Sequence, residues 1–129
     1  TIVAELEKGE TDFICLNFAN PDMVGHTGDY NAIKKAVETV DNCTQKVVEQ
    51  GLENDYAFII IADHGNADFA INPDGSPNTA HSTNMVPCFA LNTGFEKIEN
   101  GKLGDIAPTI LKIMGVEIPT EMSGEILIK

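Results

Sequence analysis

Residues 56 to 66 read YAFIIIADHGN, an apolar run that stops at an acid, an imidazole and a glycine. The run from Tyr56 to Ala62 is rich in isoleucine and does not alternate with polar residues, which is typical of a strand covered on both faces. Asp63 and His64 follow at its carboxyl end, and Gly65 permits a sharp turn after them. A plain turn needs no histidine at this point, so we interpret Asp63 and His64 as functional side chains.

The segments before this strand predict a βαβ unit. Residues 13 to 18 are predicted to form a buried strand, and Asp29 is suited to cap a helix that runs to about Gln50. The apolar residues of this helix recur at steps of three and four, which indicates one buried face, and Gly51 suits the position that ends it. A strand, a helix and a strand in this order predict two parallel strands joined by a right-handed crossover.

Shorter elements are predicted on both sides of this unit. Residues 2 to 8 predict a helix, and Val86 to Leu91 predict a third strand. Residues 105 to 114 predict another helix, with Pro108 in its first turn and Gly115 after its end. The predicted fold class is α/β, with a mostly parallel sheet and flanking helices.

The composition restricts the classes of partner. The 129 residues carry 20 acidic and 8 basic side chains, a formal net charge of −12. Such an excess of negative charge disfavours nucleic acid and anionic membranes as partners, and no apolar run approaches the roughly 20 residues of a membrane span. The cysteines, Cys15, Cys43 and Cys88, are expected to be free thiols in the reducing cytoplasm, with Cys15 and Cys88 in the core.

All three histidines lie in predicted loops beside strands, and two have an aspartate close by. Asp22 precedes His26 by four residues within a glycine-rich stretch, Asp63 directly precedes His64, and His81 lies in a long polar loop. Open α/β sheets bind ligands at the carboxyl ends of their parallel strands. Two carboxylates and three imidazoles exceed what one catalytic ion takes from a protein, and they suit two ions that clamp a phosphoryl group. The residues alone leave the alternative, that these are ordinary polar turns, equally open.

Three longer stretches that contain these side chains resemble one enzyme family. They are NFANPDMVGHTG (residues 17–28), ADHGNAD (62–68) and TAHSTNMVP (79–87), and the likeness continues through GDIAPTILKIMGVEIPTEMSGEILI (104–128). The chain resembles the cofactor-independent (2,3-bisphosphoglycerate-independent) phosphoglycerate mutases of the alkaline phosphatase superfamily. The Asp-His-Gly element is shared across that superfamily, whereas NPDMVGHTG is much more specific to the mutases.

The resemblance implies a partial alkaline-phosphatase-like sandwich and the interconversion of 3-phosphoglycerate and 2-phosphoglycerate in glycolysis and gluconeogenesis. In this family the reaction passes through a phosphoserine at a centre of two Mn²⁺ ions, with Mg²⁺, Zn²⁺ or Fe²⁺ as alternatives. By resemblance, Asp22, His26 and His81 bind one ion, and Asp63 and His64 bind the other. The whole enzyme is expected to be a cytoplasmic monomer.

The resemblance covers only part of the family's pattern. Residues 1–129 resemble the C-terminal portion of the phosphatase-like domain, and the family's nucleophilic serine and its inserted transferase domain have no counterpart among them. Ser76, Ser82 and Ser123 do not match that nucleophile. We therefore expect the 129 residues alone to be inactive, and we expect an exposed sheet edge that favours self-association.

Two other functions are alternatives. Another enzyme of the same superfamily, a phosphopentomutase or a phosphatase, would also carry the Asp-His-Gly element. A non-catalytic metal-binding or interaction module would keep the ligands without the reaction. The sequence has neither a nucleotide-binding P-loop nor a G-x-S-x-G nucleophile elbow, which disfavours nucleotide-binding enzymes and serine hydrolases.

Overall fold

The computed structural model describes residues 1 to 129, which form two compact units. The first unit comprises Thr1–Tyr56 and His64–Val86, and the second comprises Ala57–Asp63 and Pro87–Lys129. The helices of the chain are too short or too polar to span a lipid bilayer.

Three helices build the first unit: α1 (Ile2–Lys8), α2 (Asn20–Gly25) and α3 (Tyr30–Glu53). α1 has the predicted bounds, because the Thr1 side chain caps its start and Gly9 ends it in the left-handed conformation, at φ 64°. Both α1 and α2 pack against α3.

α3 begins as predicted and ends three residues later than predicted. The carboxylate of Asp29 accepts hydrogen bonds from two N–H groups of the first turn, at 3.0 and 3.1 Å. Gly51 lies inside the helix, and Asp55 takes the left-handed conformation instead, at φ 61°. The N–H groups of Tyr56 and Asp55 donate to the carbonyls of Gly51 and Leu52, which closes a Schellman motif. Aspartate tolerates this conformation, so the helix needs no glycine at its end.

α2 is a helix where the sequence predicted irregular structure. Pro21 lies in its first turn, where the fixed φ of proline suits a helix and its missing N–H costs no hydrogen bond. The backbone N–H of His26 donates to the carbonyl of Asp22 at 3.2 Å. One helical turn therefore separates Asp22 from His26, and both side chains lie on the same face.

The strand predicted at residues 13 to 18 does not form. These residues join no strand ladder, and Phe13 and Leu16 are 53% and 39% exposed. Cys15 is exposed as well, so the prediction that its thiol lies in the core is wrong. Apolar composition predicts burial, but a strand also needs a partner that takes its backbone hydrogen bonds. No segment of the chain pairs with this one.

The second unit contains one two-stranded sheet. β1 (Phe58–Ile61) and β2 (Cys88–Leu91) lie inside two of the predicted strands and are shorter than predicted. They pair antiparallel, with Phe58 opposite Leu91 and Ile61 opposite Cys88, so the prediction of a mostly parallel sheet is wrong. That prediction depended on residues 13 to 18 as the parallel partner of β1.

A helix and the C-terminal tail complete the second unit. A 3₁₀ turn at Leu103–Asp105 leads into α4 (Ile106–Ile113), close to the predicted bounds. Pro108 lies in its first turn, and Gly115 is left-handed after its end, at φ 67°. In the tail, Ile128 is almost fully buried and forms an isolated antiparallel bridge with Ile98.

Two polar side chains fasten the tail to the start of α4. Asp105 is buried, and its carboxylate accepts hydrogen bonds from the N–H groups of Lys102 and Glu125, each at 2.9 Å. The buried hydroxyl of Thr109 donates to the carbonyl of Asp105 at 2.7 Å and accepts from the N–H of Leu127 at 3.0 Å. These bonds satisfy polar groups that burial would otherwise leave unpaired.

The second unit is expected to lose stability in acid through Asp105. The backbone N–H groups of Glu125 and Lys102 lower the pKa of this carboxyl from its ordinary value. The ionised carboxylate stabilises the folded chain fully at pH values above the ordinary pKa of an aspartate, which is about 4. This stabilisation is lost as the pH falls through the lowered pKa that the carboxyl has in the folded chain. Asp105→Asn should therefore melt at a lower temperature at neutral pH and shift less on acidification. Equal acid shifts in the two proteins would contradict this role.

Candidate metal centre

Asp22 in α2 and His26, the residue directly after that helix, lie side by side. Nε2 of His26 lies 3.2 Å from Oδ1 of Asp22. Asp22 is about one-third exposed and His26 nearly half exposed, so ions in solution can reach both. The helix and the residue after it therefore supply one carboxylate and one imidazole that can share a cation.

A backbone carbonyl orients the ring of His26. Nδ1 of His26 lies 2.8 Å from the carbonyl oxygen of Thr79. A carbonyl oxygen only accepts hydrogen bonds, so we place the proton of the neutral ring on Nδ1. Nε2 then presents its lone pair toward Asp22, which is the tautomer that a metal-binding histidine needs.

His64 and His81 approach the same carboxylate from two segments that pair through their backbone. Gly65 and Ser82 form an antiparallel bridge, in which the N–H of Ser82 donates to the carbonyl of Gly65 at 2.7 Å. The rings of His64 and His81 are stacked, with centroids 3.7 Å apart and planes 14° apart. Their Nε2 atoms lie 3.9 and 3.1 Å from Oδ1 of Asp22. One carboxylate oxygen therefore faces three imidazole nitrogens.

The spacing and chemistry of these donors fit a divalent cation. Ligand atoms held at about 2.0 to 2.2 Å from one ion lie roughly 3 to 3.5 Å from each other. Asp22, His64 and His81 each offer one ligand atom, and these atoms lie within 4.8 Å of one another. His26 adds a further Nε2 next to Asp22. Imidazoles with a carboxylate, and without a thiolate, suit zinc, iron or manganese.

Asn66 supports the carboxylate of Asp22. Nδ2 of Asn66 donates to Oδ1 of Asp22 at 3.2 Å, and Asn66 is almost fully buried. Its amide occupies the space beside Gly25, where a Cβ atom would lie 1.8 Å from Oδ1 of Asn66. Asn66 and Thr79 were not among the predicted site residues. The sequence feature that could have identified them is their position within the motifs ADHGNAD and TAHSTNMVP.

The structure places the predicted ligands in both units. Within the first unit it brings together Asp22, His26, His64 and His81. Asp63 belongs to the second unit, at the carboxyl end of β1 and next to His64 in the chain. By resemblance, Asp22, His26 and His81 bind one ion, and Asp63 and His64 bind the other. This division stays a prediction, because His64 also groups with Asp22 and His81.

Sequence comparisons relate the chain to metal-dependent enzymes. The family described as the metalloenzyme superfamily matches residues 1–118. The 2,3-bisphosphoglycerate-independent phosphoglycerate mutase of Flavobacterium johnsoniae is 59% identical over 122 residues, which are 95% of this chain and 24% of that protein. The mutase of the same name from Bacteroides thetaiotaomicron is 57% identical over 129 residues, 99% of this chain and 26% of that protein. The chain thus spans about a quarter of the length of the curated relatives it matches.

A solved structure has the same arrangement of elements. A chain from the crystal structures of Leishmania mexicana phosphoglycerate mutase at low cobalt concentration superposes with a TM-score of 0.85 and 28% sequence identity. The match covers 99% of this chain and 27% of that chain. It confirms the α/β class and agrees with a partial alkaline-phosphatase-like fold.

Proposed function

The chain belongs to the metalloenzyme superfamily, and on that premise we propose that it supplies the divalent-metal centre of a phosphoglycerate mutase. The observation that carries this proposal is the convergence of three imidazole Nε2 atoms on one oxygen of Asp22. Three sequence motifs resemble those of the cofactor-independent phosphoglycerate mutases. Relatives of that name confirm this resemblance.

The proposed ligands are those that the motifs indicate. Asp22, His26 and His81 would hold one Mn²⁺, and His64 with its chain neighbour Asp63 would hold a second, an assignment that rests on the resemblance. Mg²⁺, Zn²⁺ and Fe²⁺ are alternatives, because the same oxygen and nitrogen donors accept them. When bound, the ions would supply the positive charge that a phosphoryl group requires and that a chain of net charge −12 lacks.

The chain's own groups would orient these ligands before any ion arrives. The carbonyl of Thr79 fixes the ring of His26, and the amide of Asn66 restrains the carboxylate of Asp22. The stacking of His64 on His81 restrains both ring planes. Partners of this kind raise metal affinity because the ligands lose little freedom when the ion binds.

For the whole protein, the proposed reaction is the interconversion of 3-phosphoglycerate and 2-phosphoglycerate, a step of glycolysis. The names of the relatives at 59% and 57% identity support this choice of substrate over a phosphopentose or a general phosphate ester. We further propose a monomer in the cytoplasm, as the resemblance implies. Three free cysteines are in keeping with a reducing compartment.

A chimeric enzyme tests the proposed function. The matching quarter of the Bacteroides thetaiotaomicron mutase would be replaced by this chain, to which it is 57% identical. We expect the chimera to interconvert the two phosphoglycerates, to lose this activity in a chelator and to regain it with Mn²⁺. The measurement is a coupled assay of 2-phosphoglycerate formation, with the same chimera carrying His81→Ala as the inactive control.

The outcomes separate the alternatives. A folded chimera that binds Mn²⁺ without mutase activity would favour a non-catalytic metal-binding module. A folded chimera that takes up no Mn²⁺ would refute the proposed metal centre. Phosphate release from phosphoglycerate, in place of isomerisation, would indicate a phosphatase.

A further inference from the structure

Asp68 is an acidic residue close to the metal centre to which the proposed function assigns no role. It lies in the 3₁₀ turn Ala67–Phe69, four residues after His64. Its carboxylate accepts hydrogen bonds from Ser82 Oγ, at 3.0 Å, and from Asn84 Nδ2, at 2.6 Å. These donors lie 14 and 16 residues further along the chain. The contacts therefore join two segments that carry proposed ligands.

The backbone around Asp68 brings these two segments into close contact. The bridge between Gly65 and Ser82 lies directly beside Asp68. A Cβ atom at Gly65 would lie 2.1 Å from Ser82 Oγ and 2.7 Å from Asp68 Oδ1, so only glycine leaves room for both. Ser82 is the immediate neighbour of His81, and any shift of Ser82 moves that histidine.

Side-chain contacts hold the segment that carries His81, in addition to the backbone bonds of Ser82 to Gly65 and of Asn78 to Ala70. Residues 76 to 86 form no helix and no named strand. On the N-terminal side of His81, Asn78 Nδ2 donates to the carbonyl of Phe69 at 2.7 Å. On the C-terminal side, Asp68 is the acceptor that holds Ser82 and Asn84. A carboxylate acceptor makes these bonds stronger than neutral ones.

We infer that Asp68 is a positioning residue, which holds the segment after His81 against the segment after His64 and so sets the spacing of their imidazoles before Asp22. The inference rests on the proposed metal centre. In this role Asp68 is not itself a ligand of the ion. It acts through Ser82 and Asn84, and its loss would let His81 move away from its position 3.1 Å from the carboxylate.

Titration of the full 129-residue chain with Mn²⁺, followed by the loss of the free-ion signal in electron paramagnetic resonance, tests the inference. Removing a residue that positions a ligand typically weakens metal binding by about 10- to 100-fold, and we expect this loss in Asp68→Ala. The matched control is Asp74→Ala. Asp74 lies in the same polar segment and also binds a serine, but Ser76 is only two residues away and the contact is local. This control should bind Mn²⁺ like the unchanged chain.

A spectroscopic measurement separates positioning from general destabilisation. With Co²⁺ in place of Mn²⁺, the visible absorption reports the coordination geometry, and we expect it to change in Asp68→Ala but not in Asp74→Ala. If Asp68→Ala does not fold, Asn84→Ala removes one of the bonds and leaves the carboxylate in place. It should then show a smaller loss of Mn²⁺ affinity in the same direction.

The results distinguish this inference from the proposed function. If the unchanged chain takes up no Mn²⁺, the proposed metal centre is wrong and the role of Asp68 falls with it. If the unchanged chain binds Mn²⁺ and folded Asp68→Ala binds it equally well with the same Co²⁺ spectrum, the positioning role alone is wrong.

Discussion

Replacing Asp22 by alanine is expected to weaken Mn²⁺ binding by more than about 100-fold. Removing a residue that only hydrogen-bonds to a metal ligand already lowers metal affinity by about 10- to 100-fold, and Asp22 is proposed to be a ligand itself. Asp22 provides the oxygen that three imidazole nitrogens face, at 3.1, 3.2 and 3.9 Å. Without this carboxylate, His26 and His81 would hold their proposed ion with no negatively charged ligand beside them. In the chimeric enzyme the same substitution should abolish mutase activity.

The control for Asp22→Ala is Asp41→Ala, which removes the same charge from the exposed surface of α3. Isothermal titration with Mn²⁺ would compare both variants with the unchanged chain and with His81→Ala. Asp41→Ala should bind normally, whereas His81→Ala should resemble Asp22→Ala. Equal uptake of Mn²⁺ by the unchanged chain, Asp22→Ala and His81→Ala would refute the ligand assignment.

Replacing Gly124 by alanine is expected to lower the free energy of unfolding of the second unit by about 1 to 3 kcal/mol, the usual cost of forcing a methyl group into a packed site. The added Cβ atom would lie 2.2 Å from the carbonyl oxygen of Gly104 and 2.9 Å from its carbonyl carbon. Neither backbone segment can move away easily, because the residues that follow Gly104 and Gly124 are hydrogen-bonded to each other. The carboxylate of Asp105 accepts this bond from the N–H of Glu125.

Gly104→Ala is the matched control for Gly124→Ala. A Cβ atom at Gly104 would meet nothing nearer than Cε of Lys102, at 4.0 Å. Alanine also restricts the unfolded chain more than glycine does, so this substitution should be neutral or slightly stabilising. Chemical denaturation followed by circular dichroism would measure both variants. Equal unfolding free energies for the two would show that the contact between residues 104 and 124 does not restrict the tail.

Three of the helices, α1, α3 and α4, were predictable because their signals are local. Asp29 caps the first turn of α3, and Pro108 and Gly115 lie at the two ends of α4. Each of these residues acts on backbone groups within about four positions of itself, so the rest of the fold does not alter its effect. The end of α3 was misplaced because an aspartate, Asp55, took the left-handed position that a glycine was expected to take.

The candidate ligands of the metal centre could be chosen from the sequence, because the two aspartates and three histidines lie in three motifs that resemble one enzyme family. The residues that orient them could not. Asn66, Asp68 and Thr79 act through hydrogen bonds to side chains that lie 14 to 53 residues away in the chain. Asparagine, aspartate and threonine are ordinary loop residues, and their position within the motifs does not tell which distant side chain each of them contacts.

The sequence by itself determined the positions of α1, α3 and α4, the two strands that form, and the side chains suited to bind a metal. Only the tertiary structure decided that β1 and β2 pair antiparallel, and that residues 13 to 18 stay out of any sheet. It also decided that Asp22 is the residue on which three histidines converge. The physical reason is that helix caps and turns depend on neighbours in the chain. Strand pairing and ligand convergence depend on which distant segments meet, and local residue patterns do not encode that choice.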